Sequence, residues 1–163
     1  MKFALSFLAL AAPAALFAQA APAPAPLPNN GVTIKSETFV AKTVTDEKGM
    51  KRNELFPATR VLPGDPLLFQ LSYENKGTKP VTRFVINNPV PNGVDYTGVR
   101  EAWAQVSVDG GKTFGTLTAM KVKKPDGAFR PAIPQDVTGI RWTLAQPIIP
   151  GGKGNVQFYA VVK

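Results

Sequence analysis

Serines and carboxylates are the side chains whose types could do chemistry here, because this 163-residue chain has no histidine and no cysteine. Without histidine, neither a Ser-His-Asp relay nor a common zinc site can be assembled. Beyond residue 20 the serines are Ser36, Ser72 and Ser107. None lies in the Gly-x-Ser-x-Gly pattern that exposes a nucleophile on a sharp turn, and none has lysine three residues on. Glu101, Asp109, Asp126 and Asp136 are carboxylates that a two-acid glycosidase would need as a facing pair. Nothing in their spacing selects one. The expectation is therefore no catalytic residue, no cofactor and no metal.

Four other groups of residues are candidates for a site. Ser107-Val108-Asp109-Gly110-Gly111-Lys112-Thr113-Phe114 looks like the Asp-box of sialidase-type propellers, Ser-x-Asp-x-Gly-x-Thr-aromatic. Ser107, Asp109, Gly111, Thr113 and Phe114 hold its positions. The physics of that pattern is local: the aspartate binds turn amides, the glycines permit positive φ, and the aromatic packs beneath. It is read as a structural hairpin rather than a reaction centre. Lys121, Lys123 and Lys124 are the densest basic cluster, a candidate for weak anion binding. Alternation puts Lys121 and Lys123 on one face of an extended segment, where solvated lysines are ordinary. Gly151-Gly152-Lys153-Gly154 lacks the spacing of a phosphate loop and reads as a turn. Trp103 and Trp142 could each stack on a sugar ring, but both sit in alternating apolar runs, so both are expected in the core.

The elements that position these residues are short strands separated by turn signals. Val32, Ile34, Thr38, Val40 and Val44 share even positions, Asp46-Glu47-Lys48-Gly49 makes a turn, and 51–61 returns, with Pro57 marking an edge or a break. Leu67, Phe69, Leu71 and Tyr73 form an inward face opposite Gln70, Ser72 and Glu74. Residues 81–86 are apolar on both faces and suit a central strand; 94–99 is another strand. Residues 103–108 and 113–122 read as the two arms of the hairpin at Asp109. A proline-rich loop, 123–136, precedes strands at 140–144 and 156–162. Phe69, Leu71, Phe84, Trp142 and Phe158 are the expected core. The count is eight or nine strands with no amphipathic helix and no internal repeat.

The first twenty residues read as a signal peptide: Lys2, a short apolar run, and Ala18-Gln19-Ala20 as a cleavage site. The run is too short for a membrane span, and no later stretch is long enough for one. Residues 21–30, APAPAPLPNN, are a spacer favouring polyproline II; the other reading is a ligand for a proline-binding groove. Residues 31–163 form the domain. Cleavage leaves 143 residues and lowers the net charge from +8 to +7 with the loss of Lys2. No cysteine is present for lipid attachment. The expected location is the periplasm or the outside, which argues against nucleic acid as partner.

Val61-Leu62-Pro63-Gly64-Asp65, then Tyr73-Glu74-Asn75-Lys76-Gly77, then Ile86-Asn87-Asn88-Pro89-Val90-Pro91-Asn92-Gly93 follow one another in a pattern that resembles the bacterial DUF11 "conserved repeat" domain. Asn88 stands where that family commonly has aspartate. Ile149-Pro150-Gly151-Gly152 before the last strand also matches, and the resemblance covers about 32–163. It implies an all-β, immunoglobulin-like antiparallel β-sandwich on exported proteins, with no enzymatic activity and no defined binding residues. The expected function is a non-enzymatic module of the bacterial envelope. It would act structurally or by protein–protein contact with an envelope protein, or alternatively as a carbohydrate- or envelope-polymer-binding module. Exposed aromatics would favour the second; a long unpaired strand edge would favour the first.

Overall fold

The alternation at 67–73 becomes the centre of the larger sheet. A computed structural model describes residues 31–163; the signal-peptide and linker readings, 1–20 and 21–30, lie outside the described residues. The described chain is all-β, with ten strands in three sheets: β1 (Val32–Thr45), β2 (Lys51–Pro57), β3 (Pro66–Asn75), β4 (Val85–Pro89), β5 (Val94–Val99), β6 (Gln105–Ser107), β7 (Lys121–Lys123), β8 (Phe129–Pro131), β9 (Gly139–Thr143) and β10 (Lys153–Val162). Five strands order as β2-β1-β3-β10-β5, three as β4-β9-β6, and β7 pairs only with β8. Every pairing is antiparallel. Among the described residues no helix is long and apolar enough to cross a membrane.

The main core draws on both larger sheets. Leu71, Val156, Phe158, Ala160 and Tyr96 from the five-stranded sheet meet Ile86, Val106, Ile140 and Trp142 from the three-stranded one. Phe158 is fully buried, stacked on Phe69 at 4.5 Å between ring centres and tilted against Trp142 at 6.4 Å. Burying an aromatic of this size stabilises by about 1.5–3 kcal/mol. A second cluster, Val32, Val81, Leu144 and Ile148, closes the end where β1 begins.

The turns hold the ends together. Gly64, at φ +89, lies in a turn closed by Asp65, whose carboxylate accepts from the Leu62 N–H. The Gly64 N–H donates to Val162 and the Val162 N–H to Asp65, so this turn holds the last strand. Asn75 is completely buried. Its side-chain N–H groups donate to the carbonyls of Lys79 and Ile148, and its Oδ1 accepts from Gly77. A buried amide with all these partners is a rigid joint rather than a defect.

Several expectations change. Residues 81–86 are not a central strand. Val81 makes one bridge to Ile148, Arg83 has φ +51, and β4 begins only at Val85, on the edge of the small sheet. A non-glycine residue in the left-handed region breaks the run of pairing. The segment 113–122 is not one returning strand. Gly115 bridges Val106, a 3₁₀ turn follows at Leu117–Ala119, and β7 turns away to pair with β8, inside the stretch expected to be loop. Phe69 and Phe84 are half-buried rather than core. Pro57 does end β2, which is an edge strand.

Register shows that β1 does two jobs. It pairs with β3 from Val32 to Val40 and with β2 from Phe39 to Thr45. The two partners overlap at two positions only, so the β1–β2 ribbon continues beyond the sheet. The Asp46 N–H donates to the Met50 carbonyl, so even positions of β1 face β2. By alternation the backbone groups of Ala41, Thr43 and Thr45 face the side where β3 has already ended. Leu55 is 53% exposed on this ribbon.

Candidate binding site

The Asp-box-like hairpin is built as its residue types require. Ser107 is fully buried; its Oγ donates to Asp109 Oδ1 at 2.7 Å and accepts the Gly111 N–H at 2.8 Å and the Asp109 N–H at 3.3 Å. Asp109 accepts the N–H of Lys112 and Thr113 at 3.0 Å and the Thr113 hydroxyl at 2.7 Å. Gly110 and Gly111 take φ +76 and +87. The Thr113 amide and hydroxyl, then the Ser107 hydroxyl, hold the Asp109 carboxyl well below the usual carboxylate range. A carboxylate saturated this way binds its own turn, not a ligand. Phe114 packs by Gly111, and the Arg141 guanidinium lies 3.7 Å over its ring.

The other carboxylates are also occupied, each in a different place. Glu101 Oε2 accepts the indole N–H of Trp142 and the backbone N–H of Gln157, both at 3.1 Å, while Oε1 meets Arg100. Asp136 makes a two-pronged pair with Arg130, both bonds 2.6 Å, and this guanidinium, more than the Ile133 N–H, lowers its pKa. Asp126 accepts the Ala128 N–H in the β7–β8 turn. The four form no facing pair bridged by shared partners. Among the described residues no group of three or more acids is placed to hold a metal.

The lysine cluster sits on the small hairpin. Lys121 and Lys123 are exposed and flank half-buried Val122, so they share a face of β7. Lys124 belongs to the turn, where its N–H donates to Ala128. Two lysines on a face, with the third on a turn, make a diffuse positive surface rather than a shaped site.

Trp103 is not in the core. It is 49% exposed, whereas Trp142 is completely buried. Trp103 precedes β6 instead of lying within it, so strand alternation never applied to its side chain. It lines a cleft of about 590 Å³ with Tyr73, Leu144, Ile148, Ile149 and Lys153. The Tyr73 ring lies across Gly154, its cross-strand partner; a Cβ at that position would collide with the ring and its hydroxyl. The sequence hides this close approach, because Gly154 reads there as part of the Gly151-Gly152-Lys153-Gly154 turn, whereas β10 begins at Lys153. Asn75 fixes the other side, since the Asn75 N–H donates to Gly152 and the Gly151 N–H to Asn75. The cleft offers two aromatic surfaces, aliphatic walls and one cation, Lys153, already paired with Glu74 at 3.0 Å. This suits an uncharged, largely apolar ligand. Comparison with protein-family models, curated proteins and solved structures finds no match to this chain.

Proposed function

We propose that this protein is a non-enzymatic, exported module of the bacterial envelope. Its fold would be an immunoglobulin-like β-sandwich of the DUF11 kind, working by contact with an envelope protein. The observation that carries this reading is the β1–β2 ribbon, with the backbone of Ala41, Thr43 and Thr45 unpaired along one side. An open strand edge is a template for a strand from a partner. Exposed Leu55 lies opposite Ala41 in the register, an apolar anchor beside that edge. The turn order from Pro63 to Gly93 supports the family reading, and Ala18-Gln19-Ala20 supports export. The test is a photo-crosslinking side chain at Leu55 in living cells. A discrete protein adduct is expected, and Thr43→Pro, which puts a residue without an N–H on the open edge, should abolish it. A folded protein with no protein adduct would defeat the reading. The mature N-terminus should be Ala21 by mass spectrometry.

The alternative, a carbohydrate- or envelope-polymer-binding module, is favoured by exposed Trp103 beside Tyr73. Aromatic faces stack on the apolar faces of sugar rings. Binding to isolated envelope polysaccharide that disappears with Trp103→Ala would favour it.

A further inference from the structure

We infer that the Trp103–Tyr73 cleft is the dock for the chain's own proline-rich segment, residues 21–28, laid in it as an extended polyproline II strand. This goes beyond the function proposed above, which uses the ribbon at the other end of β1.

Three observations converge. The first is chemical. Polyproline II segments are taken up by grooves lined with aromatic rings, against which proline rings pack. The cleft is lined by two aromatic residues, Trp103 and Tyr73, together with Leu144, Ile148 and Ile149. The Trp142 indole N–H is committed to Glu101, but that of Trp103 donates to no atom among the described residues. It is available to a carbonyl of a strand that, as polyproline II, satisfies none of its own.

The second observation is charge. Residues 21–30 contain no ionisable side chain. The cleft's cation, Lys153, is neutralised by Glu74. An acidic ligand would have to compete with that pair, whereas a segment with no acidic group, its one charge the α-amino group that cleavage leaves on Ala21, leaves the pair intact.

The third is where the segment joins the domain. Gly31 has φ +82, and its carbonyl accepts from the Lys76 N–H at 2.7 Å. A Cβ there would fall 2.8 Å from the Gly77 Cα, so this junction requires glycine. Lys76 follows Asn75, which is hydrogen-bonded to Gly151, Gly152 and Ile148. Ile148 and Gly152 line the cleft. The segment thus enters the domain beside the cleft, on β1, two strand spacings of about 4.8 Å each from β10. Ten residues of polyproline II span about 31 Å, enough to reach and cross it. A tether this short also presents its segment at an effective concentration on the order of millimolar, so weak contacts suffice.

The test uses the exported chain as purified, compared with a variant carrying Pro22→Ser, Pro24→Ser, Pro26→Ser and Pro28→Ser. Trp142 is fully buried, so acrylamide quenching reads Trp103. Quenching should rise roughly twofold in the variant, because the substituted segment no longer packs on the aromatic faces. Nuclear Overhauser contacts between proline ring protons and the Trp103 ring should appear in the unsubstituted chain and vanish in the variant. Equal quenching with no such contacts overturns the proposal. Contacts seen only between labelled and unlabelled chains in a mixture also overturn it, because the occupant is then a second copy. A neutral oligosaccharide that shifts the Trp103 resonance equally in both chains overturns it too, since the cleft is then open. Unaltered amide resonances of Leu71, Ile140 and Val156, in the core strands, will verify the fold in either case.

Discussion

Ser107 and Asp109 are chemically capable side chains whose hydrogen bonds go to their own turn. Ser107 Oγ takes part in three hydrogen bonds while fully buried. Ser107→Ala leaves turn amides without their acceptor and should lower stability by about 1–3 kcal/mol, read from urea unfolding. Asp109 adds a pH dependence. Its folded pKa is depressed, so its contribution is fully present above the unfolded value of about 3.9 and is lost as pH falls below it. Asp109→Asn should therefore flatten the acid limb of a stability–pH curve below about pH 4 while leaving its neutral slope unchanged. An acid limb identical in the two proteins would remove the hairpin role. Glu101 illustrates what spacing could not supply. In the sequence it is one acid among several, and its engagement by the Trp142 indole and the Gln157 amide depends on residues 41 and 56 positions away.

Strand stretches with one apolar and one polar face are the elements the sequence made legible. β9 and β10 alternate, β3 does so except at Leu68, which is buried on the opposite face, and Leu71, Ile140, Trp142, Val156 and Phe158 are buried as that alternation requires. Phe158→Ala should cost about 3–5 kcal/mol, because the ring is enclosed by Phe69 and Trp142 and the cavity cannot collapse. Phe69→Ala should cost less, since Phe69 is half-buried and its site can open to solvent. Thermal unfolding of the pair gives the ranking; an equal or reversed order would contradict this packing. Elements failed to be legible where pairing partners, not side-chain pattern, decide the outcome. Arg83 breaks the run at 81–86 by its backbone alone, and β7 leaves the Asp109 hairpin because β8 offers a partner.

At the scale of the whole molecule, a net charge of +8 is spread rather than focused. Lys153 and Lys163 pair with Glu74 and Asp95 at separate places, and Lys121, Lys123 and Lys124 sit together on a small hairpin. Weak attachment to anionic lipid vesicles is expected at low ionic strength. It should fade toward physiological salt, where the screening length is about 8 Å. A Lys121→Ala, Lys123→Ala, Lys124→Ala triple variant should lose only part of that attachment in vesicle sedimentation. Binding that resists salt and disappears with these three residues would reveal a focused anion site instead.

The sequence by itself determined the all-β class, the strong core strands, the Asp109 turn and the turn at Pro63-Gly64-Asp65. Each is a local property: period-two alternation, glycine where φ is positive, and side-chain oxygens within a few residues of the amides they bind. Tertiary structure alone decided which strands share a sheet, that β1 outruns β3 to leave an open ribbon edge, and that Trp103 lies in a cleft while Trp142 lies in the core. Those outcomes depend on register between strands far apart in the chain. Exposure of Trp103 follows from where β6 starts, and Tyr73, which lines the cleft, lies over Gly154, 81 residues further on. No local pattern encodes such a meeting; only the closed set of strand pairings does.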